Sequence, residues 1–328
     1  MSTNLNGFEA LEDRVLLAGN VTVAFNAAGD VVVTGDNAAN QIEIQDLDGD
    51  GSYTIVGLNG TTVNYSAAVV AANIFDANDA DNTVFGAGAL AGDTFIVNLG
   101  QGNDELFVTD GGAGGDIGAG VNLTVNMGTG NDLVDVLGAG GTVFNNVNID
   151  LGAGNDELIL NGFTAASVSA SGAAGNDKIT LTNFFANTVG ISGGAGKDLI
   201  SVSNAVVIDT LGVSGGAGND LISVSNANID TLGVSGGAGK DGVQLDGVFA
   251  NHATILLGGN ADGASITNSV FDLSFTLKGG GGKDNVEIGN SDFNGVNRLN
   301  GGGGKDFLYD LGGNNYSNDT KIKSFKIV

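Results

Sequence analysis

The stretch DLISVSNA at 198–205 recurs letter for letter at 220–227, and each copy runs on into IDTLGVSGGAG, at 208–218 and 229–239. Self-similarity at so short a period is the signature of a stacked repeat. The copies differ in length by one residue, with Val206 and Val207 in the first where the second has Asn228, which marks a turn that tolerates insertion. Taking the Asp that closes each Gly-rich loop as origin extends the repeat to Asp104, Asp132, Asp156, Asp177, Asp198, Asp220, Asp241, Asp262, Asp284 and Asp306. The intervals are 28, 24, 21, 21, 22, 21, 21, 22 and 22 residues, so the register sharpens after Asp156.

Two residues after each Asp the side chain is apolar in all ten copies, from Leu106 to Leu308, and four residues after it is apolar in nine, Asp310 being the exception. The residues between are mostly Ser, Thr, Asp, Glu or Gln. Such period-two alternation is a strand with one buried face. A second inward position lies seven residues before the Asp, from Val97 to Leu299. One repeat cannot bury its apolar face alone, but stacked repeats can, each strand pairing with its copy about 4.8 Å away. The fold expected is therefore all-β, a right-handed parallel β-helix or solenoid of 21–22 residues per turn. Six residues after the Asp a polar residue recurs as Asn183, Asn204, Asn226, Asn268 and Asn290, with Asp110 earlier, and reads as an amide ladder at a bend.

Composition agrees. The 328 residues include 58 Gly and no Pro or Cys. Pro cannot donate to a ladder. The absence of Cys removes disulfides and thiolate chemistry. A net charge of −26 argues against nucleic acid and anionic membrane surfaces as partners, and no apolar run is long enough for membrane insertion.

The loops read GGAGKD (193–198), GGAGND (215–220) and GGGGKD (279–284 and 301–306). They resemble the G-G-x-G-x-D nonapeptides of RTX calcium-binding β-rolls. The resemblance covers roughly residues 95–310, at one nonapeptide per turn where RTX rolls carry two. It implies Ca2+ between neighbouring loops, held by Gly-rich carbonyls and by Asp104, Asp132, Asp156, Asp177, Asp198, Asp220, Asp241, Asp284 and Asp306. Asp262 stands apart, in the degenerate loop GGNAD. Electrostatics gives an independent reason for a counter-charge. Like carboxylates stacked ~4.8 Å apart repel by roughly 3.5 kcal/mol at an effective dielectric of about 20. Lys197, Lys240, Lys283 and Lys305, each just before an Asp, are the alternative source of that charge, and plain tight turns are the bland reading of the loops. Asp46, Asp48 and Asp50, with Gly51 following, look like the start of an EF-hand-type loop, but Gly57 stands where its bidentate Glu belongs, so an acidic hairpin turn reads equally well.

Residues 20–95 read as irregular coils continuous with the regular solenoid of 96–328 and its C-terminal cap strand, with Asn40 in the Asp place and three turns between it and Asp104. Residues 1–19 contain Phe8-Glu9-Ala10-Leu11-Glu12-Asp13-Arg14-Val15-Leu16-Leu17-Ala18, which is similar to the FExLEPRxLL motif of many exported planctomycete proteins, with Asp13 in place of Pro. That resemblance implies export. The same residues have the spacing of a short capping helix over the open coil end.

An enzyme acting on acidic sugars needs a base and cations, yet the chain has one His, His252, and two Arg, Arg14 and Arg298. Outward positions mix Ser, Gly, Asn and Thr, which does not fit the uniform Thr array of an ice-binding solenoid. Phe163, Phe184, Phe185, Phe249, Phe271 and Phe293 cluster after the Asn corner and read as core, with a sugar-stacking row as the lesser alternative. The function expected is a non-enzymatic, secreted or cell-surface structural protein ordered by calcium. Its partners would be itself, as a homo-oligomer or fibre, or a surface polysaccharide; the alternative is a polysaccharide-binding or polysaccharide-degrading β-helix.

Overall fold

The computed structural model describes residues 19–46, 54–71, 94–110 and 120–328. It is nearly all strand, wound as stacked parallel coils of a β-solenoid. Lys178–Ala195, Leu199–Ala217, Leu221–Ala238 and Gly242–Gly259 lie one above another in register, so Ile179, Ile200, Ile222 and Val243 form one column. The inward positions two residues after and seven residues before each Asp are buried in every coil, from Val97 and Leu106 to Leu299 and Leu308. Each fully buried Val, Leu or Ile contributes roughly 1.5–3 kcal/mol. The core is a continuous apolar column inside the coil.

The extra residue of the first verbatim copy is absorbed where the ladder slips, between Val207 and Thr210, leaving Ile208 half exposed. Of the six phenylalanines after the corner, Phe163, Phe184, Phe271 and Phe293 are buried, while Phe185 and Phe249 are about 40 % exposed. Buried rings stack from coil to coil, Phe163 on Phe184 at 5.1 Å and Phe271, Phe293 and Tyr316 at 5.3 and 5.2 Å.

The corner asparagines have a backbone reason that their spacing did not reveal. Asn183, Asn204, Asn226, Asn268 and Asn290 all have φ between 50° and 54°, and Gly162, Gly247 and Gly312 hold the same place elsewhere with φ of 76°, 65° and 86°. The corner is a left-handed bend, which among non-glycine residues Asn tolerates best. The amides also link coils, with Asn183 Nδ2 donating to Asn161 Oδ1 at 2.9 Å and Asn204 Nδ2 to Asn183 Oδ1 at 3.0 Å.

The N-terminal end corrects one expectation. Gln41–Asp46 pairs directly with Glu105–Asp110, and Val31–Thr34 with Thr94–Gln101. Asn40 and Asp104 are thus one coil apart, not three; the 64 residues between them divide evenly by the repeat but do not wind as coils. Their described part folds back over the end. Thr54–Gly57 lies antiparallel on Gln41–Asp46, Thr62–Tyr65 runs parallel to Asn20–Phe25, and a short helix, Ala67–Ala71, follows. Asn20–Phe25 in turn pairs antiparallel with Val31–Thr34, so both strands of the first coil have their outer edges covered. At the other end Lys321–Lys323 and Phe325–Ile327 are the last rungs. The expected N-terminal capping helix and the segment carrying Asp48 and Asp50 lie outside the described residues, and Asp46 is the final residue of its strand.

Replacing Asn204 with Ala keeps a Cβ at positive φ but removes the side-chain amide that offsets it, and should cost about 1–2 kcal/mol in urea unfolding. Asn204→Gly, which accepts the bend, should lose clearly less; equal losses would locate the effect in the amide alone.

Candidate metal centre: a buried aspartate column

Period-two alternation carried back from the inward positions puts the loop Asp on the inner face as well. All ten aspartates, Asp104 through Asp306 with Asp262 among them, are at most 4 % exposed. They form one column. In each coil Asp Oδ1 accepts the backbone N–H of the Asp one coil before, as in Asp177 N to Asp198 Oδ1 at 2.9 Å and Asp198 N to Asp220 Oδ1 at 2.9 Å. Asn40 heads the column, its N–H donating to Asp104 Oδ1 at 2.6 Å. The Asp carbonyl rejoins the ordinary ladder, accepting for example from Leu199 N in the case of Asp177, at 2.8 Å. The carboxylate therefore satisfies an N–H that the loop removes from the strand ladder, a charge-assisted bond stronger than the one it replaces.

An outer ladder parallels it one residue earlier. Asn131 N donates to Asn103 Oδ1, Asn155 N to Asn131 Oδ1, Asn176 N to Asn155 Oδ1 and Lys197 N to Asn176 Oδ1, at 2.7–2.9 Å. Lys197, Lys240, Lys283 and Lys305 stand in this outer row with exposed side chains. Among the described residues the single ion pair is Lys178 with Glu157, so none of these lysines neutralises the buried column. Lys283 instead lies over the Phe307 ring at 5.1 Å.

The second carboxylate oxygen is the anomaly. Oδ2 of all ten aspartates is buried without a hydrogen-bond partner. Beside it lie backbone oxygens, which are acceptors too. A Cβ built on Gly193 would sit 2.4 Å from Asp198 Oδ2 and 2.6 Å from the Gly215 carbonyl oxygen, and one on Gly279 would sit 2.4 Å from Asp284 Oδ2 and 2.3 Å from the Gly301 oxygen. Gly172, Gly215, Gly236 and Gly301 repeat the arrangement, with Oδ2 at 2.4–2.7 Å. The backbone at these positions is ordinary, so glycine is there for space beside the carboxylate and not for φ. In the loops of Asp104, Asp132, Asp156 and Asp262 that place belongs instead to buried Leu99, Met127, Leu151 and Leu257. The column thus contains two kinds of loop, six with Oδ2 packed against a bare glycine and four with an apolar side chain in that place.

Acceptors converging without donors require a proton or a cation. Burial pushes Asp156 and Asp262 up to about 7 and Asp104 and Asp177 up to about 6; the N–H bond from the previous coil opposes the rise and the neighbouring carboxylates add to it. Burial likewise raises Asp132, Asp198, Asp220, Asp241 and Asp284. Oxygen-only donors of this kind suit a hard cation such as Ca2+, which takes six to eight oxygens in adaptable geometry. Among the described residues no cluster of three or more His, Cys, Asp or Glu is spaced to hold a metal, so backbone carbonyls would have to complete any shell. His252 is exposed, its Nδ1 2.9 Å from Ser274 Oγ. The chain matches no model of a known protein family, no curated protein and no solved structure.

Two outcomes follow for the column. With a chelator present, the folded chain holds protons that the unfolded chain, with ordinary carboxyls near 3.8, has released. Stability should therefore fall as pH rises from about 4 to about 7, by up to about 1.4 kcal/mol per pH unit for each aspartate titrating, and level off above; urea midpoints that rise over this range would refute the raised values. Separately, Gly193→Ala should cost about 1–3 kcal/mol by crowding Oδ2. Gly190→Ala, where a Cβ would meet nothing within 4 Å, should be neutral or mildly stabilising in the same assay.

Proposed function

We propose that this chain is a non-enzymatic, secreted or cell-surface scaffold whose coil is completed by calcium. The observation that carries the reading is the file of ten buried Oδ2 atoms with no donor. Protonation would supply a donor at Asp156 and Asp262 only at or below about pH 7 and at Asp104 and Asp177 only below about 6, whereas a divalent cation satisfies the oxygens at neutral pH and offsets part of the −26 charge. In the six loops with glycine against the carboxylate, those of Asp177, Asp198, Asp220, Asp241, Asp284 and Asp306, a backbone carbonyl oxygen of the next coil lies near Oδ2, so the two could share an ion. Asp and the adjoining backbone carbonyls, from glycine in four loops and from Leu257 and Ser324 beside Asp241 and Asp306, would hold it, and its chemistry there would be charge neutralisation and cross-linking of coils, not catalysis. The resemblance of these loops to RTX nonapeptides supports the same assignment.

Extracellular calcium modules bind with Kd of about 10⁻⁴ to 10⁻³ M. At tenfold excess over Kd each site adds about 1.4 kcal/mol. Several sites make folding conditional on a calcium-rich compartment, which fits export before folding. End-to-end strand addition would have to use the fold-back strands Thr54–Gly57 and Thr62–Tyr65 at one end and the last rungs, Lys321–Lys323 and Phe325–Ile327, at the other.

Melting curves with calcium and with chelator at neutral pH test this reading. Calcium should raise the melting temperature of the wild type. Asp198→Asn keeps an oxygen for Asp177 N–H and places an amide donor beside the Gly215 carbonyl, so it should be more stable than the wild type in chelator and gain less from calcium. A wild-type curve that calcium leaves unmoved would defeat the proposal.

A further inference from the structure

Seven of the chain's 11 Lys and Arg fall in residues 270–328 together with seven acidic residues, so the whole net charge of −26 resides in residues 1–269. Four of those cations converge. Lys278, Arg298, Lys321 and Lys323, with Thr276 and Asn300, line a cleft of about 280 Å3 on the outward face of the last coils. Arg298 is the direct cross-strand neighbour of Lys321, and Lys278 and Lys323 flank Asn300 in the next row. Like charges directly opposite one another destabilise a sheet. Among the described residues none of the four has a carboxylate within 4.0 Å, in a chain with 37 acidic residues to draw on. Edge lysines that discourage aggregation would account for Lys321 and Lys323 on the last rung, but not for Arg298 one coil and Lys278 two coils inside it.

The cleft is the end of a longer feature. Following the pairing backward from Arg298 gives Thr276, Thr254, Gly233, Gly212, Gly190 and Ser169 in one unbroken column. The parallel column from Lys323 runs through Asn300, Lys278 and Leu256 to Ser235, Ser214, Ser192 and Ser171. Together they make a trough of about 530 Å3, floored by glycine and edged by hydroxyls, that leads into the cationic cleft. From Ser169 to Lys321 it spans eight coils, about 34 Å at ~4.8 Å per coil. Its glycines have no structural necessity. None has a positive φ, a Cβ would meet nothing within 4 Å at Gly190 or Gly233, and at Gly212 it would meet only an oxygen at 3.9 Å. Glycine in mid-strand weakens a sheet, so three in a row, unlike the loop glycines, keep a surface open at a cost to the fold.

We propose that the cleft of Lys278, Arg298, Lys321 and Lys323 binds the sulfate, phosphate or carboxylate groups of a linear anionic polysaccharide whose chain continues up the trough. Arg298 offers a bidentate fork to an oxyanion and the lysines add point charges. The serine rows offer hydroxyl partners to sugar hydroxyls. A sugar chain is favoured over an extended acidic peptide because the strands under the trough already have their backbone groups paired in the ladder, leaving no edge for strand addition. The rest of the surface is acidic and would repel the ligand, which fixes where it docks. This inference does not rest on the calcium reading; it needs only the coil.

The test is binding of dextran sulfate, with neutral dextran, polyglutamate and inorganic sulfate as comparison probes, to the full chain in calcium-containing buffer. Dextran sulfate should bind, neutral dextran should not, and the affinity should fall as salt rises from about 50 to about 500 mM. Arg298→Gln with Lys321→Gln should weaken binding at least about tenfold. Lys197→Gln with Lys240→Gln, the same charge change in the loop row, should leave it unaltered and show that the loss is local. Gly212→Gln, which fills the trough, should weaken the polymer but not inorganic sulfate. Equal affinity of the first double variant and the wild type, or equal loss in both double variants, would overturn the site. Inorganic sulfate displacing the polymer at equal sulfate concentration, with Gly212→Gln silent, would overturn the polysaccharide in favour of a free oxyanion. Polyglutamate binding as tightly as dextran sulfate would overturn it in favour of an acidic peptide.

Discussion

One hydrogen bond recurs through the solenoid and organises the rest: the backbone N–H of each loop Asp donates to the carboxylate of the Asp one coil further on. At a tight Gly-rich corner the strand ladder loses a donor–acceptor match, and a buried unmade bond there would recur in every coil. A carboxylate repairs it, at the cost of bringing a charge inside. Each coil is then locked to the next by a short bond, but ten acid groups stand in file with one oxygen each unmatched. Everything distinctive about the loops follows from that compromise: glycine beside six of the carboxylates, apolar closure of the other four, and the upward shift of carboxyls that burial produces.

Much of this was legible in the residues. Period-two alternation after each Asp located the strands and the core, and carried back two places it also puts the Asp inward. The verbatim repeat located the insertion-tolerant turn, which is where the ladder slips between Val207 and Thr210. Three things were not legible. Asp262 looked degenerate because its loop has Asn260 where the other nine have glycine two residues before the Asp, yet Asn260 adopts a positive φ of 87° and the carboxylate stacks with the others. The interval from Asn40 to Asp104 admits whole coils by arithmetic alone; only the pairing of Gln41–Asp46 with Glu105–Asp110 shows that it is a fold-back. The loop lysines, candidates for neutralising the column, are separated from it by the corner itself, because adjacent residues of an extended chain face opposite ways.

The outward columns were hidden for a related reason. Ser, Gly, Thr and Lys at one register position look like noise along the sequence, since intervals of 21 and 22 residues and two bulges separate them. Once the coils are stacked they become a glycine-floored trough ending in four cations, on the same strands whose inward residues build the core. The coil thus presents two surfaces at once, an acidic seam inside its loops and an open trough outside.

The account is tested most directly by counting calcium ions per chain in equilibrium dialysis at neutral pH and again after acidification. It predicts several ions bound per folded chain, released on acidification as protons compete for carboxylates whose affinity for them burial has raised. A chain that stays folded at neutral pH and binds no calcium would contradict it, and would mean that the file of unmatched oxygens is stabilised in some other way.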